Sequence, residues 1–355
     1  MQETSQLHSP SAVRAGEEVP LDVLTEYLRG KIEGAENGIA IQQFLDGHSN
    51  LTYLLSCSDG RQYVLRRGPL GPVAPKAHDM AREYRVLETL HPHFPEAPRP
   101  YHLCEDSAVI GAIFFVMEYR PGLILRSEVP ASCRATPDHA RLISEAFVDC
   151  QVRLHSIDVT HRDFAGLGRP EGFLERQVRG WRDRWDRART DEIRDMDSIG
   201  DWLTRHLPHS PPPTLVHNDY KLDNVIFRSL KEVEAVLDWE MATVGDPLAD
   251  VGLTLCYWAW ADAAGAGRGP TPALTSRPGW YDREQFLERY WERSRRDVSG
   301  IVYYEVLGMF KLAVILQQIY YRFRRGQTRD ERFREFGQQV AALARQAASL
   351  AERQT

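Results

Sequence analysis

The chain has 355 residues, 43% of them hydrophobic and 26% charged, and a formal net charge of −6 at pH 7. This length and composition predict a large folded core and more than one lobe or domain. The acidic balance argues against nucleic-acid binding through overall charge. The five cysteines are scattered and form no CxxC pair, which is typical of reduced thiols.

No stretch of the sequence reads as a targeting signal or as a membrane span. The first residues lack a basic region followed by an apolar core. Uninterrupted apolar runs such as residues 312–316 are far too short to cross a bilayer. We therefore expect a cytoplasmic protein that has neither a membrane nor a nucleic acid as a partner.

The first third of the chain predicts a small lobe built on antiparallel strands. Residues 1–18 are polar and read as a flexible tail, and residues 19–119 as the lobe itself. Apolar spacing and turn signals give its elements in order: helix 20–30, strands 39–45, 51–55 and 62–66, helix 80–90, and strand 113–117.

Residues 120–355 predict a second, larger and mainly helical lobe. A composition shift at residues 120–122 marks the boundary between the lobes. Residues 137–155 have the spacing of a long helix with one buried face, and residues 302–323 are apolar all round, as in a buried helix. Residues 332–353 have an amphipathic pattern. We see no internal repeat.

The most informative stretch is residues 215–224 together with residues 236–240. Two short apolar runs, 225–227 and 235–237, are separated by a polar segment and predict an antiparallel hairpin. Asn224 and Asp238 then lie at its open end, and Asp219 lies on the loop that enters it. Their oxygen atoms suit Mg²⁺, and a carboxylate beside the metal can accept a proton from a hydroxyl. An ordinary hairpin with surface acids is the alternative.

The spacing His217-x-Asp219-x-x-x-x-Asn224, followed by Asp238, resembles the catalytic core of kinase-like phosphotransferases. The form HNDYKLDN followed by LDWE is similar to aminoglycoside phosphotransferases. It most resembles the subgroup whose domain is sometimes fused to acyl-CoA dehydrogenases. The resemblance covers residues 39–325 and implies an α+β, bilobal protein-kinase-like fold, with a small antiparallel-sheet N-lobe and a larger, mainly helical C-lobe.

The resemblance also implies ATP and Mg²⁺ as cofactors, with residues 19–119 binding the nucleotide and residues 120–355 supplying the catalytic loop and the acceptor site. Asp219 is the candidate catalytic base, and Asn224 and Asp238 are the candidate metal ligands. His217 is expected to shape the loop, and Asp250 to support it.

The candidate nucleotide contacts are Ser49, Asn50, Arg66, Glu83, Glu118 and Tyr119. The first two lie in a small-residue turn that can lay backbone N–H groups over phosphates, although such a turn is often only a hairpin. Arg66 takes the place of the kinase lysine and is expected to pair with Glu83. Whether Arg66 or Arg67 has this role is left open. Glu118 and Tyr119 fall at the hinge that contacts adenine.

The acceptor is the least defined part of the prediction. An arginine-rich stretch, residues 176–189, is either a solvated helix face or the lining of a site for an anion. Trp181, Trp185, Trp258 and Trp260 either line an acceptor site or pack in the core. The resemblance makes the hydroxyl of a small molecule the acceptor, in particular that of a hydroxy acid or hydroxyacyl-CoA.

Three other functions remain open at this point. An antibiotic kinase for aminoglycosides or macrolides is disfavoured by the mixed charge. A pseudokinase that binds nucleotide without turnover is motivated by Arg66 and Asn218, which depart from the family pattern. A protein kinase would need an activation segment after Asp238, and the sequence has none. A homodimer is compatible with the sequence.

Overall fold

The computed structural model describes residues 10–45, 50–68, 79–126, 136–258, 274–328 and 330–354. Two compact units are present. The first comprises Met1–Leu125, Pro130–Arg134 and Leu222–Ala242, and the second comprises Arg126–Val129, Ala135–Lys221 and Thr243–Thr355. The hairpin that was predicted from residues 225–237 therefore belongs to the first unit.

The helices and strands follow in chain order. They are α1 (Leu21–Leu28), β1 (Ile39–Phe44), β2 (Leu51–Cys57), β3 (Gln62–Arg67), α2 (Met80–Leu90), β4 (Pro100–Cys104), β5 (Phe114–Glu118), β6 (Leu123–Ile124), α3 (Pro137–His155), α4 (Phe173–Ala188), α5 (Arg194–Arg205), β7 (Thr214–Val216), β8 (Val225–Ser229), β9 (Glu232–Val236), β10 (Thr243–Gly245), α6 (Pro247–Tyr257), α7 (Arg283–Ser294), α8 (Ile301–Arg324) and α9 (Phe336–Glu352).

The first unit is organised around an antiparallel sheet with the strand order β1-β2-β3-β5-β4. Side chains alternate between the two faces of a strand, and one face here packs with α1. Tyr53, Leu65 and Phe114 belong to that cluster, together with Leu24 and Leu28 of the helix. On the other face α2 covers the sheet, and the rings of Tyr84 and Phe115 meet edge to face at 6.2 Å.

Part of the segment that was predicted as a tail lies against this sheet. Ser11 pairs with Gln43 of β1. The Tyr53 hydroxyl donates a hydrogen bond to the Glu17 carbonyl oxygen at 2.7 Å. Residues 1–9 lie outside the described residues.

The second unit is built mainly from helices, and its centre is the contact between α6 and α8. A Cβ atom at Gly252 would lie 2.5 Å from the Tyr304 carbonyl carbon, so glycine is required for this close approach. Helix α6 begins at Asp246, whose carboxylate accepts a hydrogen bond from the Leu248 N–H at 2.9 Å. The short strands β7 and β10 pair antiparallel, and β7 leads into the loop that carries Asp219, while β10 leads into α6.

Helix α8 is long and apolar enough to cross a membrane by length and composition alone, and 78% of its most apolar window is buried inside the fold. We had expected no segment long enough to cross a bilayer, because we considered only uninterrupted runs of apolar residues. Helix α8 does meet the length and composition criterion. Burial of this extent is typical of the core helix of a globular protein. The cysteines of the described ranges, Cys57, Cys104, Cys150 and Cys256, are buried thiols, as expected.

Candidate active site

The predicted hairpin is present and brings two of the candidate ligands to one end. Val225 of β8 is paired with Val236 of β9, and the Leu237 N–H donates to the Asn224 carbonyl oxygen at 2.8 Å. Asn224 and Asp238 therefore lie at the same open end of the hairpin. Asp238 has a φ of 67°, a left-handed conformation that is uncommon for a residue other than glycine and often marks a functional site.

Arg66 joins this end of the hairpin to helix α2. One guanidinium nitrogen lies 3.1 Å from a Glu83 carboxylate oxygen, and the other lies 3.0 Å from Oδ1 of Asp238. Arg66 and Glu83 are 7% and 1% exposed, so this ion pair is almost completely removed from water, whereas Asp238 is half-buried. Arg66 and Glu83, which were predicted to pair, and Asp238, a candidate metal ligand, are thus in contact in the first unit.

Burial and charge shift both titrating groups of the Arg66–Glu83 pair. Burial raises the pKa of Glu83 to about 7, although the neighbouring Arg66 opposes this change. Burial acts to lower the pKa of Arg66, but the Glu83 and Asp238 carboxylates outweigh it, so the net pKa is raised and Arg66 stays charged. A permanent positive charge beside Asp238 is suited to hold nucleotide phosphates.

Arg67, the neighbour of Arg66 on β3, points to the opposite face of the sheet. Its guanidinium donates to the Glu17 carbonyl oxygen at 2.8 Å and to the Tyr53 hydroxyl at 2.9 Å. A further bond reaches the Ile110 carbonyl oxygen at 3.3 Å. The alternation of the strand thus assigns Arg67 to the core and leaves Arg66 facing Glu83 and Asp238.

The turn predicted to cover the phosphates is only partly described. Ser49 lies outside the described residues. Asn50 is buried, and its side-chain amide donates to the Glu240 carboxylate at 3.2 Å. Arg82 of α2 donates to the carbonyl oxygens of Glu240 and, at 2.6 Å, Ala242. Glu240 and Arg82, which sequence reasoning missed, therefore connect the candidate turn and α2 to the segment after Asp238.

The two hinge residues occupy the end of β5. The Glu118 N–H donates to the Arg99 carbonyl oxygen at 2.8 Å. Its carboxylate accepts from the Arg99 N–H at 3.1 Å and pairs with Arg120 at 2.9 Å. The Glu118 side chain thus stabilises the fold through its contacts with Arg99 and Arg120. Tyr119 is half-buried and stacks on Phe44, with the ring centroids 6.5 Å apart.

Asp219 lies in the second unit, on the loop after β7. Oδ1 accepts a hydrogen bond from the Tyr257 hydroxyl at 2.8 Å, and Oδ2 pairs with the Lys221 ammonium at 2.8 Å. The Asp219 N–H donates to Nδ1 of His217 at 3.2 Å. His217 therefore shapes the loop, as the resemblance implied. Tyr257 is a contact that the sequence did not reveal.

Asp250 holds this loop from helix α6. Its carboxylate accepts hydrogen bonds from the backbone N–H groups of His217 and Asn218 at 2.9 and 2.6 Å, and it contacts Nε2 of His155 at 3.1 Å. Burial favours the neutral acid, but the bond to His155 and the loop N–H groups outweigh it and lower the pKa of Asp250. The supporting role implied for Asp250 corresponds to these contacts.

Lys311 of α8 is another contact of this loop that the sequence reading did not single out. Its ammonium donates to the Asn218 carbonyl oxygen at 2.7 Å, although the residue is only 8% exposed. A lysine in the middle of a mainly apolar helix was the available signal, because a buried charged residue needs a polar partner.

Most of the arginine-rich stretch lies in helix α4, and it mostly supports the interpretation as a solvated helix face. Arg179, Arg187 and Arg189 are exposed, and Arg182 bonds to the neighbouring helix α5 through the Gly200 carbonyl oxygen at 3.0 Å. Trp181, Trp185 and Trp258 are buried, and Trp260 lies outside the described residues. Arg184 is exposed as well, but its guanidinium lies over the Trp181 ring, 4.5 Å from the ring centroid.

Solved structures identify the class of fold. A protein from Ralstonia eutropha, provisionally described as an aminoglycoside phosphotransferase, superposes with a TM-score of 0.80 and 29% identity, covering 95% of this chain and 99% of that chain. A mutant aminoglycoside phosphotransferase in complex with ADP and hygromycin B has a TM-score of 0.61 and 15% identity, covering 93% and 98%. The fold is therefore the α+β kinase-like fold that the sequence predicted.

Sequence comparison gives the family. A model of the phosphotransferase enzyme family matches residues 40–293. Acyl-CoA dehydrogenase family member 10 of Mus musculus is 33% identical over 94% of this chain, and family member 11 of Gallus gallus is 32% identical over 93%. The chain spans 31% and 43% of the length of these two relatives. The chain belongs to the phosphotransferase enzyme family.

Proposed function

We propose that this protein transfers the γ-phosphate of ATP, with Mg²⁺, to the hydroxyl of a hydroxy acid or of its CoA ester. The observation that carries the proposal is the contact of the buried Arg66 guanidinium with both Glu83 and Asp238. In kinases a basic residue on the third strand pairs with an acid on a helix and positions the nucleotide phosphates beside a metal-binding aspartate. Arg66 would take the place of that basic residue.

The residues at the hairpin end have the donor chemistry that Mg²⁺ requires. Mg²⁺ prefers oxygen ligands and is usually bound by one or two carboxylates, with water and phosphate oxygens completing its shell. Asp238 would supply a carboxylate and Asn224 an amide oxygen. Bound Mg²⁺ would supply neutralisation of the charge on the β- and γ-phosphate oxygens during transfer.

Asp219 is assigned the role of orienting the acceptor. Each carboxylate oxygen can accept two hydrogen bonds, so Asp219 can bind an acceptor hydroxyl while it keeps its bonds to Tyr257 and Lys221. The hydroxyl oxygen forms its bond to the γ-phosphorus, its proton passes to the carboxylate, and the bond to the β-phosphate oxygen breaks to release ADP. Much of the rate would come from positioning and charge stabilisation.

The choice of acceptor class draws on the relatives. Two of the most similar curated proteins carry names that refer to acyl-CoA dehydrogenases, and their names connect this domain with acyl chemistry. The solved structures support a second candidate, an antibiotic kinase, because several are aminoglycoside or macrolide phosphotransferases. Choline and ethanolamine kinases share the fold as well.

The test is ADP release and phosphate transfer from Mg·ATP, screened over hydroxy acids, their CoA esters, choline-like alcohols, sugars and aminoglycosides. We expect transfer to a hydroxy acid or CoA ester that is lost in Asp238→Ala. Transfer to aminoglycosides in preference to acids would favour the antibiotic kinase. Binding of Mg·ATP without any phosphorylated product would favour a pseudokinase and contradict the proposal.

A further inference from the structure

A small cavity lies beside the loop that carries Asp219. It has a volume of about 20 Å³, and its lining includes Trp181, Asn218, Leu253, Gly308 and Lys311. A single water needs roughly 10–15 Å³ of such space, so the cavity fits a small polar group and not a sugar ring or a nucleotide. Apolar side chains form most of its wall, and Lys311 contributes the charge.

Lys311 is an unusual residue for this position. It is 8% exposed, and its ammonium donates one hydrogen bond, to the Asn218 carbonyl oxygen at 2.7 Å. An ammonium has three N–H donors, so donors remain for a group in the cavity. Among the described residues no carboxylate forms an ion pair with Lys311. The nearby acids are engaged elsewhere, because Asp219 pairs with Lys221 and Asp250 accepts from the loop N–H groups and contacts His155.

Charged groups of both signs lie near the cavity, and Lys311 is the charged residue in its wall. The anions Asp219 and Asp250 act on Lys311 more strongly than the cations Lys221 and Arg184. Burial of a cation is costly, and the partners of the Lys311 ammonium are the Asn218 carbonyl oxygen and the Trp181 ring, whose centroid is 5.6 Å away. Neither partner carries a full negative charge, which a carboxylate in the cavity would supply. Burial lowers the pKa of Lys311 to about 8, and it is thus still mostly protonated at neutral pH.

We propose that the cavity binds the carboxylate of the acceptor, that Lys311 recognises it by a charge-assisted hydrogen bond, and that the acceptor is consequently a free hydroxy acid and not its CoA ester. This inference rests on the proposed phosphotransferase function and narrows its acceptor. Lys311 also contacts the residue before Asp219, so the recognised carboxylate and the reacting hydroxyl belong to one short molecule.

The test compares three acceptors that differ only in their end group: the hydroxybutyrates, their amides and the corresponding amino alcohols. The informative variant is Lys311→Gln, because glutamine can still donate to the Asn218 carbonyl oxygen but has no charge. Lys231→Gln, an exposed lysine at the hairpin turn, is the matched control. The measured quantity is the ratio of kcat/KM for the acid to kcat/KM for the amide.

We expect the wild type and Lys231→Gln to prefer the acid over the amide and the amine. Loss of a hydrogen bond between charged groups should lower this preference roughly ten- to hundred-fold in Lys311→Gln. In the wild type the KM for the acid should also rise as the pH passes through about 8, where Lys311 loses its proton. An equal loss for acid and amide in Lys311→Gln would show that Lys311 only supports the loop, and would overturn the inference.

The failure of this inference can be told apart from a failure of the phosphotransferase function. If the wild type phosphorylates amides, amines or CoA esters as well as acids, the function stands and the carboxylate site is wrong. If the wild type phosphorylates none of them, ligand-observed NMR measures whether hydroxybutyrate binds to the wild type and to Lys311→Gln. Binding by the wild type and loss of binding in Lys311→Gln would support the site, and equal or absent binding would overturn it.

Discussion

The guanidinium of Arg66 lies 3.0 Å from the carboxylate of Asp238, although the two residues are 172 positions apart in the chain. The contact joins strand β3, which carries Arg66, to the open end of the hairpin that β8 and β9 form. Because Arg66 is buried and Asp238 is half-buried, their attraction is stronger than it would be between two fully exposed groups. An arginine remains charged when buried, so Arg66 can keep this contact inside the fold.

Arg66→Met should damage both stability and nucleotide binding. It would leave Glu83 buried without its cation, a change that costs about 3 kcal/mol in comparable buried pairs. Loss of a donor to the phosphates should lower kcat/KM for ATP about 100-fold or more. Urea unfolding and steady-state kinetics measure the two effects.

Arg67→Met is the matched control for that variant. Arg67 donates hydrogen bonds on the core side of the sheet, to Glu17, Glu18, Tyr53 and Ile110. The Arg67→Met variant should therefore be less stable than the wild type, but its folded molecules should keep the wild-type KM for ATP. A larger loss of ATP affinity in Arg67→Met than in Arg66→Met would contradict the assignment of Arg66.

Asp250→Ala should unfold the protein more readily than Asp250→Asn. Alanine would leave the N–H groups of His217 and Asn218 buried without an acceptor, at about 1–3 kcal/mol each. Asparagine keeps one oxygen and should recover part of this loss. The free energy of unfolding in urea is the measurement, and equal stability of the two variants would show that the loop N–H groups find other partners.

Asn218→Gly should be tolerated where Asn218→Ala is not. Asn218 has a φ of 64°, a left-handed conformation that asparagine and glycine adopt more readily than alanine. We expect Asn218→Ala to lose about 1 kcal/mol of stability, and Asn218→Gly to retain both stability and turnover. If both variants behave alike, the backbone of this loop is not what constrains residue 218.

Raising the pH should stabilise the wild type relative to Lys311→Met. Burial lowers the pKa of Lys311 from its ordinary value of 10.5 to about 8 in the folded protein. Between these values the unfolded chain binds a proton that the folded chain does not, so stability rises with pH. Thermal unfolding of both proteins from pH 7 to about pH 10 measures the difference, and a constant difference would contradict the depressed pKa.

The sequence predicted the main elements because their patterns are local. Strands β1 to β3 and helices α2, α3 and α8 have period-two or helical spacing that can be read without partners. Strand β4 was missed because it begins with Pro100 and contains only two large apolar residues. Helix α5 was missed although Met196, Ile199 and Leu203 recur at helical spacing, and this signal could have found it.

The residues of the candidate site could be predicted where they belong to a sequence motif, but not where they come together only in the folded chain. Asn224 and Asp238 follow from the hairpin, and Asp219 follows from its spacing to Asn224. The distinction between Arg66 and Arg67 required the strand register, which decides which of two neighbours faces α2. Lys311 and Tyr257 are distant from the motif, and Glu240 lies within it without an assigned role, so the contacts of all three appear only when the chain has folded.

The most direct test of the phosphotransferase function is the fate of the γ-phosphate of labelled Mg·ATP in the presence of a hydroxy acid. We expect the label in a phosphomonoester of the acid with the wild type, and at least about 100-fold less with Asp219→Asn and with Asp238→Ala. If the wild type binds Mg·ATP but forms no labelled ester with any acceptor, or if the two variants label the acid as well as the wild type does, the protein does not act in this way.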